Sequence, residues 1–443
     1  MYVIVVGAGE VGTWVAGFLS REGYDVAVIE RDPARARQLE AELDVLVIEG
    51  SGTHPSVLEE AGLARADLLV ALTGSDEVNL LASLAARTVA DKTSVLRISA
   101  PELRGPEAAS LRAAVGVDTV LDPDEETARD IIELVDHPGA AEVDLIAGGL
   151  LTVLGLHLDD PVVVAPDMVG GAGPGTVRVV AVTRARRTWF PVADEVLERG
   201  DLVRVMVPTG RYADAADRIG FGRPPVRRVL LLGGNNATER VARAMLERRI
   251  EVVVAQPPER ADDMAERLQR VLVLVADLDR SDGLDELDLG SYDLVATLGD
   301  RDEANVLACL LARSRGVPIT VAVIHRLGLF PLLAESGVFV ATAARTDAAN
   351  SVLRLIRGGV AEIATFLAGD AEVLEFVVAE GSPAAGARLG DLALPPGARV
   401  PALARGAGIV FTGPDTVVAA GDLAVLVTHG GPGTGAVRKL FER

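Results

Sequence analysis

The stretch VIVVGAGEVG, from Val3 to Gly12, decides how the first part of the chain folds. Its apolar start predicts a buried strand, and its glycines in the spacing Gly-x-Gly-x-x-Gly predict a tight turn. The apolar pattern that follows predicts a helix over Val11–Ser20. A strand, a glycine-rich turn and a helix in this order are typical of the first unit of a doubly wound parallel sheet.

The sequence contains this pattern twice, because its two halves are collinear copies. The offset between the copies is 226 residues at two separate places, and a shorter match lies further along each half. The matched stretches are Val3–Gly12 with Val229–Thr238, Ala66–Arg87 with Tyr292–Arg313, and GDLVRV at Gly200 with GDLAVL at Gly421. Each half is therefore a larger module followed by a smaller one.

The larger modules alternate apolar strands with helical patterns, which predicts a parallel sheet with right-handed crossovers. The smaller modules have short apolar runs separated by turns. The predicted fold class is α/β, with two Rossmann-like doubly wound parallel sheets, each followed by a small α+β domain. The predicted domains are residues 1–139, 140–222, 226–358 and 359–443.

The glycine turn also predicts a nucleotide-binding site. Gly7 permits the tight turn, Gly9 leaves room for a pyrophosphate, and Gly12 lets the helix pack close to the strand. Glu30 ends the next predicted strand, where an acidic residue hydrogen-bonds ribose hydroxyls and repels a 2′-phosphate. These residues favour NAD(H) or an adenine nucleotide over NADP. The alternative is a turn that serves packing alone.

Further candidate contacts follow other strands of the first module. Doubly wound sheets bind ligands at the carboxyl ends of their strands. Ser51 follows the third predicted strand, Thr73 and Gly74 follow the fourth, and Arg97 ends the fifth, where a guanidinium could pair with phosphate. We expect these residues to outline one crevice.

The second copy has lost most of this pattern. Asn235 stands where the backbone must approach a pyrophosphate, Thr238 replaces the third glycine, and Gln256 replaces the acidic residue. His325 and Arg326 align near Arg97 and keep some basic character there. The second copy is interpreted as a structural pseudo-site, with weak or different ligand binding as the alternative.

Composition limits the classes of partner. A formal net charge of −21 disfavours nucleic acid and anionic lipid surfaces. The high content of acidic residues and the presence of only two lysines favour a protein from a salt-loaded cytoplasm. A GC-rich genome would explain the scarcity of lysine but not the acidity. The chain starts without a signal-peptide pattern and contains no run of roughly 20 apolar residues. We therefore expect an intracellular protein that reaches a membrane only through a partner.

No catalytic or metal-binding constellation stands out. The five histidines have no metal-ligand spacing, and Cys309 is the sole cysteine, which rules out an intramolecular disulfide. The carboxylates Asp76 and Glu77 at a predicted helix start suit the helix macrodipole. We predict a binding protein without catalytic residues and without a metal.

The chain resembles the TrkA family, the peripheral subunits of Trk-type potassium uptake systems. The resemblance covers essentially the whole chain and rests on the doubled order of nucleotide-binding (RCK_N) and small (RCK_C) domains. Its signatures are VGAGEVG with Glu30, EGSGTHPSVLEEAG at Glu49–Gly62, ADLLVALTGSDEVNLLA at Ala66–Ala82 and LPPGARVPALARG at Leu394–Gly406.

This resemblance implies a cytoplasmic regulatory subunit that binds NAD or NADH, with ATP or ADP as alternative ligands at the same site. It implies self-association into a ring, here a homotetramer, and docking on a membrane potassium channel subunit. The implied ligand contacts are Gly7, Ala8, Gly9, Glu10, Val11, Gly12, Glu30, Ser51, Thr73, Gly74 and Arg97. The alternatives are an NAD-dependent oxidoreductase, or a regulatory subunit of another cation channel or antiporter.

Overall fold

The computed structural model describes residues 1–21, 23–90, 93–170, 177–184, 187–234, 236–278, 280–324, 339–341, 352, 361–366, 371–429 and 434–442. The chain divides into two compact units. The first unit is formed by residues 1–131 and 228–356, and the second by residues 132–227 and 357–443. Each unit therefore combines corresponding parts of the two sequence repeats.

The first half begins with a parallel six-stranded sheet and its helices. The strand order is β3-β2-β1-β4-β5-β6, the doubly wound order in which the chain reverses direction beside β1. The strands are β1 (Tyr2–Val6), β2 (Asp25–Glu30), β3 (Leu46–Glu49), β4 (Leu68–Ala71), β5 (Thr93–Arg97) and β6 (Thr119–Leu121). The helices are α1 (Glu10–Arg21), α2 (Pro33–Glu42), α3 (Pro55–Glu60), α4 (Asp76–Ala90), α5 (Pro101–Arg104), α6 (Ala109–Val115) and α7 (Pro123–Asp136).

The first half ends with an antiparallel sheet of order β11-β10-β13-β8-β7, a two-stranded ribbon of β9 and β12, and one helix. The apolar run from Leu145 to Leu158 forms parts of the neighbouring strands β7 and β8. The elements are β7 (Ala140–Ile146), β8 (Leu151–His157), β9 (Val162–Val163), β10 (Arg178–Arg184), β11 (Arg187–Trp189), β12 (Val196–Leu197), β13 (Leu202–Pro208) and α8 (Tyr212–Ile219).

The second half repeats both sheets. Its parallel sheet has the order β16-β15-β14-β17-β18-β19, the same as the first. The strands are β14 (Arg228–Leu232), β15 (Glu251–Gln256), β16 (Leu272–Val275), β17 (Leu294–Thr297), β18 (Ile319–Val323) and β19 (Phe339–Ala341). The helices are α9 (Asn236–Glu247), α10 (Pro258–Arg267), α11 (Ser281–Asp285) and α12 (Asp302–Ser314).

The last sheet is antiparallel, with the order β20-β21-β24-β22-β23, and a helix follows it. The elements are β20 (Ala361–Phe366), β21 (Ala371–Val377), β22 (Ala398–Arg405), β23 (Gly408–Phe411), β24 (Leu423–His429) and α13 (Thr434–Phe441). Among the described residues, no helix is both long enough and apolar enough to cross a membrane.

Within the second unit, the two antiparallel sheets share one apolar core. Val153 and Met206 of the first sheet cluster with Val373 and Val425 of the second, and all four are buried. The buried carboxylate of Glu375 accepts a hydrogen bond from the backbone amide of Ala147 at 2.5 Å. Burial of this apolar surface stabilises the pairing of the two small domains.

Both small domains contain the same arginine–aspartate clamp. The guanidinium of Arg184 donates to both carboxylate oxygens of Asp201, and that of Arg405 donates to both oxygens of Asp422. Burial alone raises the pKa of each aspartate, but the arginine and a backbone amide stabilise the charged form. The net result is a lowered pKa for both Asp201 and Asp422.

Within the first unit, charged side chains join the two parallel-sheet domains. Asp122, directly after β6, accepts from Arg104 of α5 and from Arg240 of α9, the latter at 2.7 Å. Arg240 also pairs with Glu125. Asn236 donates to the carboxylate of Asp124 at 3.3 Å. The first domain thus contacts the start of the first helix of the second domain.

The predicted fold class is confirmed. The predicted strands lie where the apolar runs placed them, with ends that differ by a few residues. The pairing of corresponding domains within one unit is a feature that the repeat did not predict, because local patterns contain no information about which modules pack together.

Candidate functional site

The glycine turn between β1 and α1 has the conformation that its sequence predicts. Gly7 has a φ of +97°, and its amide donates to the carbonyl of Ile29 in the neighbouring strand. A Cβ at Gly7 would lie 2.9 Å from Cγ2 of Thr73. Position 7 therefore needs glycine both for its backbone angle and for its close approach to the end of β4.

The other two glycines of the turn have different roles. A Cβ at Gly12 would lie 1.9 Å from the carbonyl oxygen of Gly7, so helix α1 can pack against the turn only with glycine there. A Cβ at Gly9 would meet nothing within 4 Å. Gly9 thus opens space in front of the first amides of α1, which begins at Glu10 and continues through Val11. Helix amides of this kind bind phosphate.

Glu30 is fixed beside this turn at the end of β2. The residue is 8% exposed. One carboxylate oxygen accepts from the amide of Ala8 at 2.6 Å, and the other accepts from the amide of Asp32 at 2.8 Å. Each oxygen can accept a further hydrogen bond. A pre-oriented carboxylate at this place can bind two hydroxyl groups of a ribose.

Ser51, Thr73 and Gly74 follow the strands on either side. The Ser51 hydroxyl lies 2.9 Å from that of Thr53, in the loop after β3. The Thr73 hydroxyl lies 2.7 Å from Oδ1 of Asn79, and a Cβ at Gly74 would meet nothing within 4 Å. The sheet register places β3 beside β2 and β4 beside β1, so Ser51 follows the strand next to that of Glu30, and Thr73 and Gly74 follow the strand next to that of the glycine turn.

The role of Asn79 was not predicted from the sequence. Its fully buried amide accepts from the amide of Thr73 and donates to the carbonyls of Thr73 and Arg97, and so joins the ends of β4 and β5. The signal was present, because Asp76, Glu77 and Asn79 recur at Asp302, Glu303 and Asn305. Asp76 lies in the first turn of α4, where it suits the helix dipole, and it also accepts from the amides of Ser99 and Ala100.

Arg97 is the predicted cation of this crevice. It ends β5, next to β4 in the sheet. Its Nε atom is buried and has no hydrogen-bond partner among the described residues. A buried guanidinium nitrogen without an acceptor costs free energy that an anionic ligand would recover.

The corresponding crevice in the second half is built differently. Gln256 replaces Glu30, and its Nε2 donates to the carbonyls of Gly233 and Gly234 at 3.1 and 3.4 Å. The side chain of Thr238 fills the place of Gly12 and donates to the carbonyl of Gly233. This turn directs carbonyl oxygens toward the strand-end residue, whereas the first turn directs an amide toward Glu30.

The position equivalent to Arg97 is Val323. Asn305 binds the ends of β17 and β18 as Asn79 does in the first half, and it donates to the carbonyl of Val323 at 2.8 Å. The predicted basic counterparts, His325 and Arg326, lie outside the described residues, as does Asn235. At the strand end itself, the second crevice has an apolar side chain in place of the guanidinium.

The part of the chain that the structure describes contains no cluster of three or more His, Cys, Asp or Glu side chains that could hold a metal ion. Burial raises the pKa of the Cys309 thiol to about 12. At neutral pH this thiol is protonated, and it lies against the hydroxyl of Thr297.

Comparison with known families identifies the chain. The family profile of the TrkA-N domain matches residues 3–123 and 229–342, and that of the TrkA-C domain matches residues 373–431. This chain belongs to the TrkA family. The Trk system potassium uptake protein TrkA of Azorhizobium caulinodans is 30% identical over 96% of this chain and 95% of its own length. The Halomonas elongata protein of the same name is 28% identical over 96% and 95%.

Solved structures share the fold of this TrkA-family chain. The RCK domain of GsuK aligns with a TM-score of 0.60 at 16% identity and covers 100% of this chain and 95% of that chain. The GsuK channel bound to NAD aligns with a TM-score of 0.60 at 16% identity, over 97% and 77%. The family predicted from the sequence is confirmed.

Proposed function

We propose that this TrkA-family chain is a nucleotide-sensing regulatory subunit that controls a Trk-type potassium channel subunit from the cytoplasmic face of the membrane. Membership of a family of Trk potassium uptake proteins supports the transport role. The observation that carries the sensing role is the buried carboxylate of Glu30, fixed 2.6 Å from the Ala8 amide beside a turn that Gly9 leaves open.

The ligand that fits the first crevice is NAD or NADH, with ATP or ADP as alternatives at the same place. The first amides of α1 would bind the pyrophosphate, Glu30 the ribose hydroxyls and Arg97 a phosphate. The solved GsuK channel with this fold binds NAD and also ADP. The proposed contacts are Gly7, Ala8, Gly9, Glu10, Val11, Gly12, Glu30, Ser51, Thr73, Gly74 and Arg97.

Self-association into a ring is supported by a repeated apolar surface. Leu81 and Leu84 of α4 are 51% and 39% exposed, and their equivalents on α12, Leu307 and Leu310, are 65% and 39% exposed. A chain with two such faces buries both in a closed assembly, and we propose a homotetramer. Replacement of Leu81 and Leu307 by Glu should reduce the assembly to smaller species in light scattering. An unchanged mass would contradict this surface.

Nucleotide binding can reach the second domain through the contacts of Asp122. Arg104 donates to the carbonyl of Ser99 after β5 and pairs with Asp122, which also binds Arg240 of the second domain. A ligand that moves the end of β5 would therefore act on the contact between the two domains. Such a ligand shifts the ring between shapes only if it binds one shape more tightly.

The test is potassium flux into liposomes that contain a Trk-type membrane subunit, with and without this protein and each nucleotide. We compare the parent with Gly9→Asp, which places a charge at the pyrophosphate position without a steric clash in the fold. The control is Gly23→Asp, because Gly23 precedes β2 at the opposite edge of the sheet, and a Cβ there also meets nothing within 4 Å. The φ of Gly23 is +82°, so this substitution adds backbone strain, and melting curves must show that the variant is folded.

We expect potassium flux to depend on nucleotide with the parent and with Gly23→Asp. With Gly9→Asp we expect potassium flux that is the same with and without nucleotide. Flux that is unaffected by the protein under every nucleotide condition, together with a failure to co-purify with the membrane subunit, would refute the proposal. Chromatography of the nucleotide after incubation tests the enzymatic alternative, since a sensor returns its ligand unchanged.

A further inference from the structure

The second parallel-sheet domain contains a cavity of about 430 Å³ at the carboxyl ends of β14, β15 and β17. Its lining includes Gln256, Asp277, Asp300 and Ala304. The volume lies within the usual range for small-molecule sites, which is roughly 300–1,000 Å³. The loss of the dinucleotide fingerprint has therefore left an open crevice rather than a filled one.

Gln256 lines this cavity and contains an unsatisfied acceptor. The side chain is 0% exposed, and its Oε1 atom has no hydrogen-bond partner among the described residues. The orientation of the amide is fixed, because the reverse orientation would place its oxygen against the carbonyl oxygens of Gly233 and Gly234. A buried acceptor without a donor costs about 1–3 kcal/mol, so a ligand that donates a hydrogen bond there is favoured.

The charges around the cavity disfavour phosphate. The positions of Ser51 and Gly74 are occupied by Asp277 and Asp300, and Val323 stands in the place of Arg97. The charged residues of the lining are three acids, Glu259, Asp277 and Asp300, and two arginines, Arg260 and Arg301, and Arg260 pairs with Asp300 at 2.8 Å. A phosphate would meet carboxylates where the first crevice offers a hydroxyl and a glycine.

We propose that this cavity binds an uncharged nucleoside and discriminates against its phosphorylated forms. The position at the end of the second strand is the one that contacts ribose in doubly wound sheets. A ribose hydroxyl donates to Oε1 of Gln256, and the rest of the ribose lies against the rim that contains Asp277. This site is separate from the nucleotide crevice of the proposed function and does not depend on it.

The test measures binding to the full-length chain that carries Gly9→Asp, so that the first crevice does not contribute. The probes are adenosine, guanosine, cytidine and uridine, each compared with its 5′-monophosphate and, for adenosine, with ADP and NAD. Calorimetry should show at least one nucleoside that binds once per chain, with its monophosphate about tenfold weaker or more.

Two variants test the location. Ala304→Phe places a ring into the cavity from α12 and should abolish binding, whereas the matched control Ala304→Ser should bind like the parent. Gln256→Leu removes the acceptor and should weaken binding about tenfold. Melting curves establish that each variant is folded. Gln256→Leu keeps the test decisive if Ala304→Phe does not fold.

The proposal is overturned if none of the four nucleosides binds the folded chain. Monophosphates that bind as tightly as their nucleosides would also overturn it, as would equal binding by Ala304→Phe and Ala304→Ser. Potassium flux is not part of this test, so its outcome is independent of the regulatory role.

Discussion

The two crevices of the first unit have the same scaffold and different chemistry. In both, a buried asparagine, Asn79 or Asn305, joins the ends of two central strands with matching hydrogen bonds. The residues that would face a ligand differ, because Glu30 becomes Gln256 and Arg97 becomes Val323. The sheet and these hydrogen bonds are therefore retained without the predicted nucleotide contacts.

This difference separates residues that build the fold from residues that face a ligand. Gly7 and Gly233 both have positive φ angles, so the turn itself is retained. Gly12 and Thr238 show that the packing of the first helix has two solutions, one with a close backbone approach and one with a hydroxyl bonded to the turn. Exchange of such residues between the two crevices should separate these two roles.

The largest effect is expected from Gly12→Thr, which gives the first turn the residue of the second. Its Cβ would lie 1.9 Å from the Gly7 carbonyl oxygen in the present packing, so α1 must shift. We expect a loss of about 3 kcal/mol of stability or failure to fold. Thermal melting measures this effect. A melting temperature equal to that of the parent would mean that the two turns are interchangeable.

Arg97→Val gives the first crevice the apolar strand end of the second. Loss of a charge-assisted hydrogen bond to phosphate should weaken NADH binding about tenfold to a hundredfold. Arg65→Val is the matched control, since Arg65 precedes β4 at the opposite edge of the sheet and stacks over Tyr2. Calorimetry distinguishes the two variants, and an equal loss with both would point to a general effect of charge.

Glu30→Gln gives the first crevice the amide of the second. The amide has one acceptor oxygen, so the amides of Ala8 and Asp32 cannot both keep their present partners. We expect nucleotide affinity to fall about tenfold, with a stability loss of about 1 kcal/mol. The reciprocal Gln256→Glu should not create NADH binding, because Val323 remains. Tight binding by that variant would show that one residue separates the crevices.

The smallest difference is expected between the two small domains, where the copies kept the same clamp. Asp201→Asn and Asp422→Asn should lower the melting temperature by similar amounts, roughly 2–4 °C. The lowered pKa of each aspartate means that its stabilisation is complete above the ordinary value of 3.8 and is lost as the pH falls below it. Each variant should therefore lose less stability than the parent on acidification. Unequal decreases in the melting temperatures of the two variants would contradict the equivalence of the two clamps.

Much of the fold could be predicted because the apolar runs are local signals. The 226-residue offset then shows that the second half repeats the order of the first. The places of Glu30 and Arg97 followed from strand ends, since parallel strands end at one edge of the sheet. The recurrence of Asn79 at Asn305 marks these residues in the sequence, but the hydrogen bonds by which each joins two strands depend on the tertiary structure. The charge network around Asp122 joins residues from different repeats, and no local pattern specifies that pairing.

The most direct test of the account is the number of NADH molecules bound by the purified full-length protein, measured by calorimetry. We expect one molecule per chain for the parent and for Gly23→Asp, and none for Gly9→Asp, because the crevice that keeps the predicted contacts is the one beside Glu30. Two molecules per chain, or binding by Gly9→Asp as tight as that of the parent, would contradict the division of roles between the two crevices.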